Sequence, residues 1–178
     1  VQYRLDLLEK EPRFAKVLKV AAEKAGWGKK LPSGRALGVA LMEGYGTYMA
    51  QVAEVSVSGG DIKVHKVTVA CDCGRMVNPG IVRQQLESGI IYGLSHALYS
   101  DITLTKGVVD QNNFNDFRIL RNNEAPEIDI TLIDSNEKPG GTGEPSTSLI
   151  GPAVGNAIFN ATGKRLRSMP FVKALKSA

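Results

Sequence analysis

Apolar residues along this chain keep two different periods, and the change from one to the other divides it. Between Pro12 and Ala25 they recur at helical spacing. Phe14, Val17, Leu18, Ala21 and Ala25 fall on one face, Pro12 suits the first turn, and Gly26 is placed to end the helix. Residues 26–35 (Gly-Trp-Gly-Lys-Lys-Leu-Pro-Ser-Gly-Arg) have linker composition. Residues 1–30 therefore read as a helical appendage from an upstream region. The main domain is expected over 35–171, with 172–178 as a tail.

From Ala36 the period becomes two. Strands are expected over Ala36–Met42, Tyr48–Val57 and Ile62–Ala70, the last two joined as a hairpin through Ser58-Gly59-Gly60-Asp61. The apolar phase slips in both long strands. Val52 and Ala53 are adjacent, and Val64 to Val67 skips three, which predicts bulges or strong twist.

A second helix opens at Asn78, an N-cap candidate followed by Pro79. Val82, Leu86, Ile90, Leu94, Ala97 and Leu98 form its buried stripe. Gly89 and Gly93 lie inside it, each unfavourable by about 1 kcal/mol against alanine, so either something approaches the backbone or the helix packs tightly on a sheet.

Between Ser100 and Arg121 the signal is mixed: Thr103, Val108 and Val109 suggest strand, and Asp110-Gln111-Asn112-Asn113 is turn chemistry. A last strand is expected over Glu127–Asp134, where Ile128, Ile130 and Leu132 alternate. Leu149, Ile150, Ala153, Val154, Ala157, Ile158 and Ala161 then define a final helix ended by Gly163. Hairpins outnumber strand–helix–strand units. The expected architecture is α+β: a two-layer sandwich with a mixed, mostly antiparallel sheet and helices packed on it, plus the N-terminal helical appendage.

Composition narrows the function classes. The 178 residues are 43% hydrophobic and 22% charged, ordinary for a globular domain, and no apolar run reaches the roughly 20 residues of a transmembrane helix. The net charge of +4 is concentrated in Lys164, Arg165, Arg167, Lys173 and Lys176. Aromatics make up only 6%, which argues against a nucleic-acid surface. The N-terminus carries neither an initiator Met nor a signal-peptide pattern, and the expectation is a fragment. Cys71 and Cys73 are one residue apart: a disulfide at that spacing is strained, and a metal site would need two further ligands. With only His65 and His96 to draw on, two buried or half-buried thiols are expected and no metal ligands.

Candidate chemistry concentrates in Lys138-Pro-Gly-Gly-Thr-Gly-Glu-Pro-Ser-Thr147. Gly140, Gly141 and Gly143 free the backbone to approach a ligand. Pro145 is expected to hold Glu144 extended, and the helix that follows turns its N–H groups and positive dipole end toward this loop. Three readings compete on these residues. The glycines could make a tight strand-to-helix connection beside a solvated glutamate. The loop could bind phosphate or a dinucleotide. Against this, Ser146 occupies the last glycine position of the dinucleotide fingerprint, no later strand supplies its acidic residue, and Gly163-Lys164 closes a helix instead of opening one. Or Glu144, fixed near a glycine floor, could be a general base.

Longer stretches carry a resemblance. Pro139-Gly-Gly-Thr-Gly-Glu-Pro145 and the segment Ile150 to Phe171 resemble the C-terminal end of the molybdenum hydroxylase large subunit, the xanthine dehydrogenase and aldehyde oxidase family. The closer likeness is to the isoquinoline 1-oxidoreductase β-subunit branch. Cys73-Gly-Arg-Met-Val-Asn-Pro79, Gln84-Gln-Leu-Glu-Ser-Gly-Ile-Ile-Tyr-Gly93 and Asn113-Phe-Asn-Asp-Phe-Arg118 resemble further family segments in the same order. Ser88 stands where glycine is usual, and Thr142 where a small apolar residue is common.

The resemblance implies a molybdopterin-dependent oxidoreductase. Glu144 would be the catalytic base, taking the proton from a metal-activated oxygen that attacks an N-heterocycle or aldehyde carbon. Gln85 would bind the pterin, which on spacing alone reads as a surface residue, and Gly141, Thr142 and Gly143 would line the molybdenum side. The cofactor would be molybdopterin, in its cytosine dinucleotide form. The partners would be the upstream part of the same subunit, an iron–sulfur electron-transfer subunit and a small-molecule substrate. Family subunits are several times longer, so the isolated chain is expected to be inactive and to hold no stable cofactor. The compartment, bacterial cytoplasm or periplasm, would depend on an upstream signal. The alternative is a non-catalytic binding domain that keeps the scaffold; the retained Glu144 speaks against it.

Overall fold

The computed structural model describes residues 1–177. Its centre is a four-stranded sheet of β1 (Arg35–Gly44), β2 (Thr47–Ser58), β3 (Asp61–Asp72) and β6 (Glu127–Leu132), in the order β1-β2-β3-β6. The first two pairings are antiparallel and β3–β6 is parallel. A parallel neighbour cannot be reached by a tight turn, so the chain crosses over through the long helix α3 (Pro79–Leu98) before returning as β6. A small ribbon of β4 (Leu104–Thr105) and β5 (Val108–Val109) lies within that crossover. Lys106 and Gly107, both at positive φ, make its two-residue turn. The α+β class and the mixed sheet agree with the sequence pattern.

Both faces of the sheet are covered. On one, α3 and α4 (Pro145–Thr162) pack over Met49, Ala53, Val67, Val69 and Ile130. On the other, α2 (Pro12–Lys24) sets Val17, Leu18 and Ala21 against Leu37, Val39, Ala50, Val52 and Ala70. The N-terminal segment read as an appendage is thus seated on the second face, preceded by the short α1 (Gln2–Asp6). The stretch read as tail continues a helix begun at the domain's last residue, α5 (Phe171–Lys176), and its Leu175 is buried in the larger core beside Phe171.

The two phase slips have different causes. Glu54 pairs with Lys66 and Val55 with Val64, so His65 is an extra residue in β3. This is a bulge, and it returns Val64 and Val67 to one core. Val52 and Ala53, by contrast, are adjacent because they point to opposite faces, each into its own cluster. There the expected bulge is replaced by two-sided burial.

Asn78 caps α3 as its position suggests, its side-chain oxygen accepting the Ile81 N–H at 3.1 Å. Asn78→Ala is expected to cost about 1 kcal/mol, read as a lower denaturation midpoint at unchanged slope.

The glycines inside α3 are explained by α4. A Cβ on Gly89 would lie 2.0 Å from Ser146 Oγ, and one on Gly93 would lie 2.5 Å from the Thr147 carbonyl oxygen. The close approach is helix on helix, and the pairing 89 with 146 and 93 with 147–150 makes the two helices run in the same direction. Gly93→Ala should destabilise the chain by about 2 kcal/mol through overpacking, measurable by urea titration.

Candidate active site

Two turns hold the glycine loop. At the β1–β2 hairpin, where Gly44 pairs with Thr47, Tyr45 and Gly46 both take positive φ. The Tyr45 carbonyl accepts the Gly141 N–H at 2.9 Å, and the buried Thr47 hydroxyl donates to the Gly141 carbonyl at 2.8 Å. The peptide of Gly141 is therefore pinned on both sides. A Cβ at Gly140 would meet Thr47 Oγ1 at 2.5 Å and the Gly46 carbonyl at 2.6 Å, so only glycine fits.

The second turn follows β3. Cys73 accepts the Gly140 N–H at 2.8 Å, and Arg75 donates its backbone N–H to Glu137 at 3.0 Å. Gly74, at φ +72°, leaves room for the Lys138 carbonyl, which a Cβ there would meet at 2.1 Å. Asp72 stabilises this turn by accepting the Gly74 N–H at 3.1 Å. The Asp72 side chain is only 4% exposed and takes a two-pronged bond from Arg13 of α2, at 2.9 and 2.8 Å. Burial works to push its carboxyl up. The bonds from Arg13 and Gly74, with the Arg13 charge, outweigh burial and hold it below its ordinary value. Beside it, the hydrogen bond between the buried free thiols drives the Cys71 thiol up and pulls the Cys73 thiol down to about 7.

Beyond Gly141 the loop opens. Among the described residues, the N–H groups of Thr142, Gly143 and Glu144 have no acceptor within the chain. Thr142 is half-buried, Gly141 and Gly143 are exposed, and nothing lies within 4 Å of where a Gly143 Cβ would sit.

Glu144 departs from the expected extended backbone: its φ is −118° and its ψ −20°. It is the N-cap residue of α4, and its carbonyl already accepts the Thr147 N–H at 2.9 Å. That first-turn bond outweighs the preference Pro145 imposes on the residue before it. The Glu144 carboxylate makes no capping bond and is exposed at the positive end of α4.

Gln85 is exposed on α3, one turn before Gly89. Since Gly89 touches Ser146 and the helices run in parallel, Gln85 stands about 6 Å further toward the end where the glycine loop enters α4. The structure thus places Gln85 and residues 141–144 at the same end of the helix pair.

Two buried residues beneath the loop escape the sequence reading. Gln51, on β2, is fully buried, and its side-chain N–H₂ donates to the Ser146 carbonyl at 3.2 Å. Gln51 Oε1 and Ser146 Oγ are buried without a partner, a deficit of about 1–3 kcal/mol for each such group. The available signal was Gln51 in phase with the inward-facing Met49 and Ala53.

Among the described residues no cluster of three or more His, Cys, Asp or Glu could hold a metal, and no helix is long and apolar enough to cross a membrane.

A mixed sheet carrying two parallel helices, with a pinned glycine loop at one helix start, defines the class as an α+β domain. Residues 15–126 match the molybdopterin cofactor-binding domain family, and the chain belongs to that family, that of the molybdenum hydroxylases.

The chain is 36% identical over 180 residues to the isoquinoline 1-oxidoreductase β subunit of Brevundimonas diminuta, covering 98% of this chain and 23% of that one. It is 41% identical over 165 residues to the membrane-bound aldehyde dehydrogenase (pyrroloquinoline-quinone) of Gluconacetobacter polyoxogenes, covering 89% and 21%. The crystal structure of the aldehyde oxidoreductase of Desulfovibrio desulfuricans superposes with a TM-score of 0.63 at 27% identity, over 73% of this chain and 15% of that one. The chain spans about a fifth of the length of these curated relatives. The family match ends before the glycine loop, which falls inside the stretch aligned to the isoquinoline enzyme.

The residues present fit the cofactor such a family binds. Three unpartnered N–H groups at a helix N-terminus suit the anionic oxygens of a pterin cofactor, and the open side of Gly143 leaves space for a flat group.

Proposed function

We propose that this chain supplies the proton-accepting carboxylate of a molybdopterin-dependent hydroxylase, and that Glu144 is that base. The observation that carries the reading is an exposed carboxylate, committed to no capping bond, at the end of a loop fixed by main-chain bonds. A base must be held in place yet remain free to accept a proton: the loop is pinned at Gly140 and Gly141 and the Glu144 carbonyl is tied into the first turn of α4, while the carboxylate stays uncommitted.

Once bound, the cofactor would supply a metal that acidifies a water-derived nucleophile and accepts the electrons of the oxidised substrate. Glu144 would accept the proton of that nucleophile. The N–H groups of Thr142 and Gly143 would face the cofactor's oxygens, with Gly141 keeping the approach open. Gln85, with both a donor and an acceptor on its amide, would hydrogen-bond the pterin edge. The cytosine dinucleotide form of the cofactor, an iron–sulfur partner subunit and the remainder of a longer subunit belong to the same proposal. The names of relatives that act on isoquinoline and on aldehydes support an N-heterocycle or an aldehyde as substrate. Replacing Glu144 by glutamine in the intact subunit tests the reading, with turnover per bound molybdenum as the measurement.

A further inference from the structure

The assignment of Glu144 leaves open what sets its height above the domain. The loop bonds end at Gly141, and the three residues from Thr142 to Glu144 make no main-chain bond of their own from their N–H groups. The position of Glu144 therefore depends on the first turn of α4.

That turn is held from below by Gln51. Its amide reaches from the middle of β2 to the carbonyl of Ser146, two residues after Glu144. A carbonyl can only accept, so the amide nitrogen must face it, and Oε1 is turned into the core with no partner. Gln51 is fully buried among apolar neighbours, where an unbranched apolar side chain of similar size would satisfy packing without an orphaned oxygen. A residue so unfavourable for stability marks a positional demand. On the other side of the same turn, Gly89 makes room for the Ser146 side chain. The turn is thus fixed between β2 and α3.

We infer that Gln51 is a positioning residue for Glu144, setting the first turn of α4 through the Ser146 carbonyl so that the carboxylate stands at its working height. The inference rests on the reading of Glu144 as the base.

The experiment uses the intact enzyme with Gln51→Met and Gln51→Leu, the second guarding against poor packing of the first. Both variants should bind molybdenum as the wild type does and melt at or above its temperature, since an orphaned buried oxygen is gone. Turnover per bound molybdenum should fall about tenfold with KM within twofold. Hydrogen exchange in the peptide spanning Gly140 to Leu149 should accelerate several-fold. In a Glu144→Gln background, adding Gln51→Met should lower the residual rate no further.

The inference is overturned if turnover per molybdenum stays within twofold of wild type, or if exchange in that peptide is unchanged. It is also overturned if activity falls only in proportion to folded, molybdenum-loaded protein, or if the two substitutions multiply in the double variant. An active Glu144→Gln enzyme removes the base reading by itself. A silent Gln51→Met beside an inactive Glu144→Gln removes the positioning role alone.

Discussion

Glu144→Gln in the intact enzyme is expected to bind a full complement of molybdenum and to lose turnover by about 10²- to 10⁴-fold, the range a general base contributes. Glutamine keeps the length and planarity of the side chain and removes only its ability to take a proton. Glu144 is exposed and makes no capping bond. The substitution should therefore leave stability within about 0.5 kcal/mol of wild type. A fall in kcat and in kcat/KM together would mark an interaction made in the transition state. Metal analysis and single-turnover kinetics on the same sample separate loss of chemistry from loss of cofactor. Near-wild-type turnover per molybdenum would sink the assignment.

The second large effect is expected at Arg13, far from Glu144 in sequence. Arg13→Met keeps an unbranched stem over the Tyr48 ring, above which the guanidinium carbon lies 4.5 Å from the centroid, and removes the charge. Asp72 is then left buried without its cationic partner, though it keeps the Gly74 N–H. The cost should be about 3 kcal/mol, the low end for breaking a buried pair, because Arg13 keeps 27% of its side chain exposed.

The pH dependence follows from the direction of the Asp72 shift. Its folded value lies below the ordinary 3.8, so the pair's contribution is fully present above that pH and is lost as pH falls through the folded value. Urea midpoints of wild type and variant should differ by a constant amount near neutrality and converge below pH 3.8. A gap that persists undiminished into that acid range would mean the effect is packing and not charge.

The elements were legible where one physical signal acted alone. Asn78-Pro79 and Gly163 bound their helices as capping rules require, and the strand alternation located β1, β2, β3 and β6. The reading faltered where two demands met at one residue. Val52 beside Ala53 looks like a broken period, because a strand buried on both faces has no polar side to alternate with. The appendage reading left open what the apolar face of α2 packs on, since an amphipathic stripe says that a helix is buried but not against what. At Glu144, a nearest-neighbour rule about proline lost to a hydrogen bond formed three residues on.

The candidate site was half legible. The glycines and the carboxylate announce themselves by composition. Thr47, Gln51, Asp72 and Arg13 do not, because their roles come from partners more than 50 residues away in the chain. Gln85 was readable only through resemblance, since an exposed glutamine on a helix has no local distinction.

The loop's attachment to the two turns has a consequence for redesign. Its backbone anchors are the carbonyls of Tyr45 and Cys73, and the Arg75–Glu137 bond beside them is also main chain to main chain. Side chains at Tyr45, Arg75, Glu137 and Lys138 take no part in those bonds. The exposed positions Arg75, Glu137 and Lys138 can therefore be varied while the strands and turns keep the loop in register, whereas Tyr45, held at positive φ, tolerates few replacements besides glycine and asparagine.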